Sequence, residues 1–258
     1  MTGLSLAPAP GAAPLPAMVR AHASYELRAV LRNGEQLLLT LVIPVVLLLL
    51  FGATSLLDLG PGRRVDFLAP GVIALAIMST AFTGQAIGTG FERRYGVLKR
   101  LAATPLPRAG LIAAKTISVV AVEVLQVAVV SAVAVALGWR PHGGPAGAAA
   151  VVLLVLLGTA AFSGLGLLIA GTLRAEATLA AANLVYLLLL VLGGVVFPLT
   201  DFPGAAVSAL DLLPISALAD GLRQVLQHGA ALPGKDVAVL AAWAVAGPAL
   251  AARFFRWE

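Results

Sequence analysis

Six long apolar stretches separated by short polar ones set the organisation of this chain. They run over residues 36–57, 67–91, 111–137, 146–173, 178–197 and 237–254. An α-helix rises about 1.5 Å per residue, so a hydrocarbon core of about 30 Å takes roughly 20 apolar residues to cross. Each stretch is therefore predicted to be a transmembrane helix, the first one kinked at Pro44. Asp58, Arg63, Arg64 and Asp66 mark the first polar loop, GWRPHGGP (138–145) the third, and residues 174–177 a very short fourth. The second span carries Gly71, Gly84, Gly88 and Gly90.

Four segments depart from this rhythm. Residues 1–17 are rich in Pro and Ala, carry no charged side chain, and are expected to be a disordered tail. Prolines at 8, 10, 14 and 16 interrupt any apolar core, so a signal peptide is not expected. Residues 18–35 form an amphipathic pattern. Arg20, Ser24, Arg28 and Arg32 fall on one stripe, and Ala23, Leu27, Val30 and Leu31 on another. Such a helix lies in the membrane interface with its arginines at the headgroups, or else leads as an ordinary polar helix into the first span. Residues 198–236 hold two apolar stretches, 205–213 and 215–227, divided by Pro214. At helical rise they reach only about 14 and 20 Å, too little to span. They read either as a re-entrant hairpin dipping into one leaflet or as an amphipathic surface loop.

The fourth departure carries the most charge. Residues 91–107, FERRYGVLKRLAATPLP, gather Glu92, Arg93, Arg94, Lys99 and Arg100 between two apolar spans, with Arg108 just beyond. Val97, Leu98 and Leu101 share one helical face, and Lys99 and Arg100 point away from it. Gly96 is placed to break the preceding helix, and Pro105 to end the short one. A small helix that is apolar on one side and basic on the other suits docking in a partner's groove. The same charges also serve as a topology signal and nothing more.

Composition agrees with a membrane-embedded chain. Of 258 residues, 60% are hydrophobic and 11% charged, with a mean hydropathy of +1.00. An average soluble domain is about 25% charged. The length suffices for several spans but not for several spans and a large enzyme domain. With no cysteine, disulfides, thiol chemistry and cysteine metal sites are excluded. The net charge of +5 follows membrane orientation rather than nucleic acid. With the amino terminus inside, 12 of the 17 basic residues fall inside, while Arg63, Arg64, Arg140, Arg223 and Lys235 fall outside. Both termini are therefore expected in the cytoplasm. An Ala-, Leu-, Val- and Gly-rich sequence also suits a GC-rich genome, which points to a bacterial inner membrane.

Catalytic signals are sparse. His22, His142 and His228 lie far apart without acidic neighbours at metal-ligand spacing. HExxH, GxSxG and GxxxxGK[ST] are absent, so any ATP used must be hydrolysed by another chain. Gly84, Gly88, Gly90, Gly164, Gly166 and Gly171 read as close helix packing or as a substrate path. Glu123 lies in the middle third of the third span, with Gln126 on the same face. An acid at that depth faces the bundle interior, either as a contact for a cationic substrate or proton, or as a hydrogen-bonded structural acid. Asn183 and Tyr186 make a weaker pair on the fifth span.

The run 92–105 resembles the "E…GTLKRLRATPL" signature of type-2 ABC transporter permeases. Glu92, Gly96, Leu98, Lys99, Arg100, Leu101, Thr104 and Pro105 match it, while Val97 replaces the common Thr and Ala102 a frequent Arg. LPISALADGLRQVL is similar to a second stretch of that family. The likeness covers residues 18–258 and is nearest to daunorubicin- and doxorubicin-resistance-type drug exporters. It implies an all-α integral membrane protein with six transmembrane helices, an interfacial helix bearing Arg20, Arg28 and Arg32, a cytoplasmic coupling helix and a re-entrant hairpin. It further implies two permeases, as a homodimer or with a similar chain, paired with two copies of an ABC ATPase. The ATPase would bind ATP and Mg, leaving this chain without a cofactor, a metal or a nucleic-acid partner. ATPase coupling would fall to Glu92, Arg93, Arg94, Gly96, Leu98, Lys99, Arg100, Leu101, Thr104 and Pro105. An amphipathic drug or lipid would leave through the dimer interface, with Glu123, Gln126, Asn183 and Tyr186 as candidate path residues. Two other readings remain: a membrane scaffold that recruits a cytosolic protein, and an ion-coupled secondary transporter using Glu123.

Overall fold

The computed structural model describes residues 11–53, 63–195, 199 and 202–255. Eleven α-helices occur among them: α1 (Leu15–Arg32), α2 (Gly34–Ala53), α3 (Arg64–Met78), α4 (Gln85–Arg94), α5 (Val97–Ala102), α6 (Arg108–Ala136), α7 (Gly144–Thr172), α8 (Ala175–Leu192), α9 (Gly204–Leu210), α10 (Pro214–Leu226) and α11 (Gly234–Phe254). A π-helical turn, Ser79–Gly84, joins α3 to α4, so Arg64–Arg94 is one continuous rod.

That rod is the axis of the bundle. Its apolar stretch is 78% buried inside the chain, against 17% for α8 and α11. The core forms where α3 meets α10 and α7, with Leu68, Ile73, Leu75, Phe82, Leu154, Phe162, Ile215 and Leu218 fully enclosed. α7 and α11 cross at backbone contact. A methyl on Gly164 would lie 2.3 Å from the Pro248 nitrogen, and one on Gly247 2.9 Å from the Ala161 carbonyl. Small residues are required at such a crossing, and Gly166 and Gly171 meet Phe82 and Phe255 as tightly. Gly88 meets nothing, so the packing role is confined to part of the expected set.

Among the described residues, five helices or rods are long and apolar enough to cross a membrane: Arg64–Arg94, α6, α7, α8 and α11. The remaining expected span corresponds to α2, a 20-residue helix whose apolar run is Thr40–Gly52, and residues 54–57 of that expectation lie outside the described residues. Other boundaries shift by a few residues. The tail expected over 1–17 gives way to α1 at Leu15, because Pro16 sits in the first turn, where a missing N–H costs nothing. Residues 1–10 of that tail lie outside the described set. Pro214 opens α10 rather than merely dividing two stretches, for the same reason. α9 and α10 do form two short helices before α11, and α10 is enclosed by α3, α7 and α11.

Candidate functional site

α5 is short because its flanks leave it no choice. Gly96 adopts φ +71°, a left-handed conformation that glycine tolerates and that ends α4. At the other end Thr104 Oγ1 donates to the Leu101 carbonyl at 2.6 Å, and two prolines follow. Leu98 is fully buried in an apolar seat made by Leu111 of α6, Leu167 of α7, and Ala251 and Phe255 at the end of α11. Leu101 packs on the same seat. Tyr95, Lys99, Arg100, Thr104 and Pro105 are exposed. α5 thus crosses the end of the bundle with its apolar face down and its basic face out.

The charged residues before Gly96 do a different job from those after it. Lys115, two turns into α6, is 4% exposed and reaches two carboxylates on two other helices. Its Nζ lies 2.7 Å from Glu26 Oε1 of α1 and 2.7 Å from Glu92 Oε2 of α4. His22 Nε2 lies 3.2 Å from the same Glu26 oxygen, so His22, against the sequence expectation, does have an acidic neighbour one helical turn on. Burial works to raise Glu26, but His22 and the Lys115 ammonium outweigh it and bring the carboxyl from its ordinary 4.5 to about 2. Arg93 donates to the Leu173 carbonyl, the end of α7, and Arg94 pairs with Glu176 in the first turn of α8. Glu92, Arg93 and Arg94 therefore tie α4 to α1, α6, α7 and α8, while Lys99 and Arg100 have no ion pair among the described residues.

A second buried cation lies at the other end of the rod. Arg223 of α10 is 6% exposed. It donates to the Val195 carbonyl at 2.9 Å and the Phe67 carbonyl at 3.3 Å, pairs with Asp220 at 2.9 Å, and stacks 3.8 Å over the Phe67 ring. Burial lowers Arg223 and raises Asp220, each opposed by the other's charge.

Four candidate path residues separate into two places. Glu123 and Gln126 are each 1% exposed, inside the subunit. Thr159 Oγ1 of α7 donates to Glu123 Oε2 at 2.5 Å. Gln126 accepts from Thr80 of the π-helical turn and donates to the Thr40 carbonyl of α2. Asn183 is exposed on α8 and Tyr186 is half-buried against the core, so the structure does not join them to the α6 pair.

These features meet a clear relationship. A family model for the ABC-2 type transporter matches residues 19–226. The chain belongs to the ABC-2 type transporter family. A search of curated proteins returns no match. An ABC-2 membrane domain is the permease component of an ABC exporter, a multi-pass membrane protein that associates with an ATP-binding subunit. The match ends at the last helical residue of α10 and thus takes in most of α1, the rod, α5 and the Arg223 anchor.

Sequence reasoning placed Glu92 among the ATPase-coupling residues, and the fold pairs it with Lys115 of α6. It passed over Lys115, Glu26 and Thr159. Lys115 had a readable signal, since a lysine within AAKTISVV is costly in an apolar span unless an acid meets it. Neither acid is near it in sequence, and only the fold supplies them.

Proposed function

We propose that this ABC-2 permease exports an amphipathic, drug-like or lipid-like substrate, as daunorubicin- and doxorubicin-type exporters do. It has six spans, counting α2, with both termini and α5 in the cytoplasm of a bacterium. Two permease chains, identical or similar, pair with two ATP-binding subunits, which hold the ATP and Mg. α5 is the coupling helix.

One observation carries this reading. Lys99 and Arg100 stand exposed on a short helix whose other face is buried through Leu98, while the residues just before it are tied to four neighbouring helices. A force applied to that basic face reaches α1, α6, α7 and α8 through Lys115, Arg93 and Arg94 without a flexible linker. Lys99 and Arg100 supply the contact with an acidic groove on the ATP-binding subunit, and Glu92, Arg93 and Arg94 transmit it.

The test is co-reconstitution of the chain with its ATP-binding subunit in vesicles. Lys99→Glu combined with Arg100→Glu is expected to abolish substrate-stimulated ATP hydrolysis while leaving membrane insertion intact. Unchanged stimulation would remove α5 from the coupling role, and export that persists after ATP depletion would remove the exporter reading.

A further inference from the structure

α1 tracks the first half of α6. Leu15 lies beside Gly110, Glu26 reaches Lys115, and Leu27 stands near Ala121. The two helices do not close completely. A cleft of about 210 Å³ remains between them, lined by Arg20, Ala23, Ser24 and Leu27 of α1 and by Ile117, Ser118 and Ala121 of α6.

Its chemistry is two-ended. The lining is apolar or hydroxyl-bearing except for Arg20, which is exposed. Arg20 has no acidic partner among the described residues, and nor do Arg28 and Arg32 on the same stripe. The reason lies in the charge cluster above. α1 contains a single acid, Glu26, and Lys115 draws it into the bundle. The outer face of α1 is left purely cationic.

The apolar end does not stop at the cleft. Ile117 is 51% exposed, and Val124, two turns on along the same face of α6, is 66% exposed. From Ile117 to Ala128 the helix advances about 16 Å, close to the depth of one leaflet of a bilayer with a core of about 30 Å. Apolar surface of this kind on a membrane-embedded helix is met by acyl chain.

We infer that the α1–α6 cleft binds an anionic phospholipid, its phosphate on Arg20 within reach of the Ser24 hydroxyl and one acyl chain laid along Leu27, Ile117, Ala121 and Val124. Charge complementarity selects the ligand. A lone guanidinium at the mouth of an apolar cleft favours a headgroup of net negative charge over a zwitterion, whose own cation would face the arginine stripe. The site requires lipid at the surface of the bundle and nothing from the coupling role of α5, so either reading can fail alone.

Native mass spectrometry tests it on the full chain purified in detergent with phosphatidylglycerol and phosphatidylcholine in equal amounts. The expected result is retention of phosphatidylglycerol over phosphatidylcholine, reduced about fivefold by Arg20→Gln, the loss anticipated for one interfacial arginine. Arg20→Lys is expected to keep most of the retention, and Arg140→Gln, at the far end of the bundle, all of it. Ala121→Trp, which fills the cleft without touching a charge, is expected to abolish it. Inorganic phosphate in excess is not expected to compete, since it lacks the acyl chain. Equal retention of both lipids, or equal retention by the Arg20→Gln and unaltered chains, would overturn the site. So would a cross-link from Ser24→Cys to a second copy of the chain, which would mean that protein rather than lipid covers the cleft.

Discussion

Lys115 and Arg223 are both cations buried in the bundle, close to opposite ends of the same central rod, yet they are held in different currencies. Lys115 is held by carboxylates alone, Glu26 and Glu92, each on a different helix. Arg223 is held mainly by main-chain carbonyls of Phe67 and Val195 and by the Phe67 ring, with its one acid, Asp220, on its own helix. Backbone carbonyls cannot be protonated, and they move only when the helix moves. Carboxylates change charge with pH and release a lysine by rotating a side chain. The Arg223 joint is thus built as a fixed anchor for α10, and the Lys115 joint as one that can be remade. The remakeable joint lies beside α5.

Removing the lysine has the largest expected effect. Lys115→Met leaves two carboxylates facing each other in a buried site, at a cost of about 3–5 kcal/mol, read as a fall in thermal unfolding temperature. Adding Glu26→Gln and Glu92→Gln to the same chain is expected to recover most of that loss, because no unpaired charge then remains. Equal losses for the single and triple variants would mean that packing, not charge, governs this joint.

The Arg223 anchor is expected to respond to shape instead. Arg223→Lys keeps the charge but loses the fork that reaches Val195 and Asp220 together, at about 1–3 kcal/mol for the carbonyl left unpaired. Gly71→Ala attacks the same anchor from the acceptor side, since its methyl would lie 2.7 Å from the Val195 carbonyl. Full stability in both variants would dissolve the distinction between the two joints.

Acid separates them by direction. Glu26 is depressed from 4.5 to about 2, so its stabilisation is complete above about pH 4.5 and is lost as the pH falls through about 2. The contacts of Arg223 with backbone carbonyls have no such transition. The chain has no cysteine, so a reporter attached at Ser24→Cys senses α1 alone. Its mobility is expected to rise between pH 4.5 and 2, while a label at Gln227→Cys stays constrained. Release of both together would contradict the assignment.

The sequence already shows much of this arrangement, and the gaps have a physical cause. Apolar length exposes the spans, and Gly96, Pro105 and the alternation of Leu98 with Lys99 and Arg100 expose α5, because all of these are local properties. The amphipathic stripe of α1 is equally legible. What is hidden depends on contacts between distant parts of the chain. Lys115 is 89 residues from Glu26 and 23 from Glu92, so neither acid could be recognised as its partner from local sequence. Glu123 and Gln126 share a face in the sequence and in the structure, but their partners, Thr159, Thr80 and the Thr40 carbonyl, come from three other segments. Asn183, grouped with them by chemistry, lies on an exposed part of α8.

Lys99 and Arg100 should matter least for stability. Replacing either exposed side chain with Ala is expected to move the unfolding free energy by no more than about 0.5 kcal/mol. The effect proposed for them is on coupling, and the most direct measurement is cross-linking at that surface. In inside-out vesicles carrying the ATP-binding subunit, a thiol-directed cross-linker at Arg100→Cys is expected to join the two proteins, while the same reagent at Arg140→Cys joins neither. Labelling of Arg100→Cys only from the outside, or a Cys at position 100 that stays open to reagent with the ATP-binding subunit bound and never cross-links to it, would contradict the account.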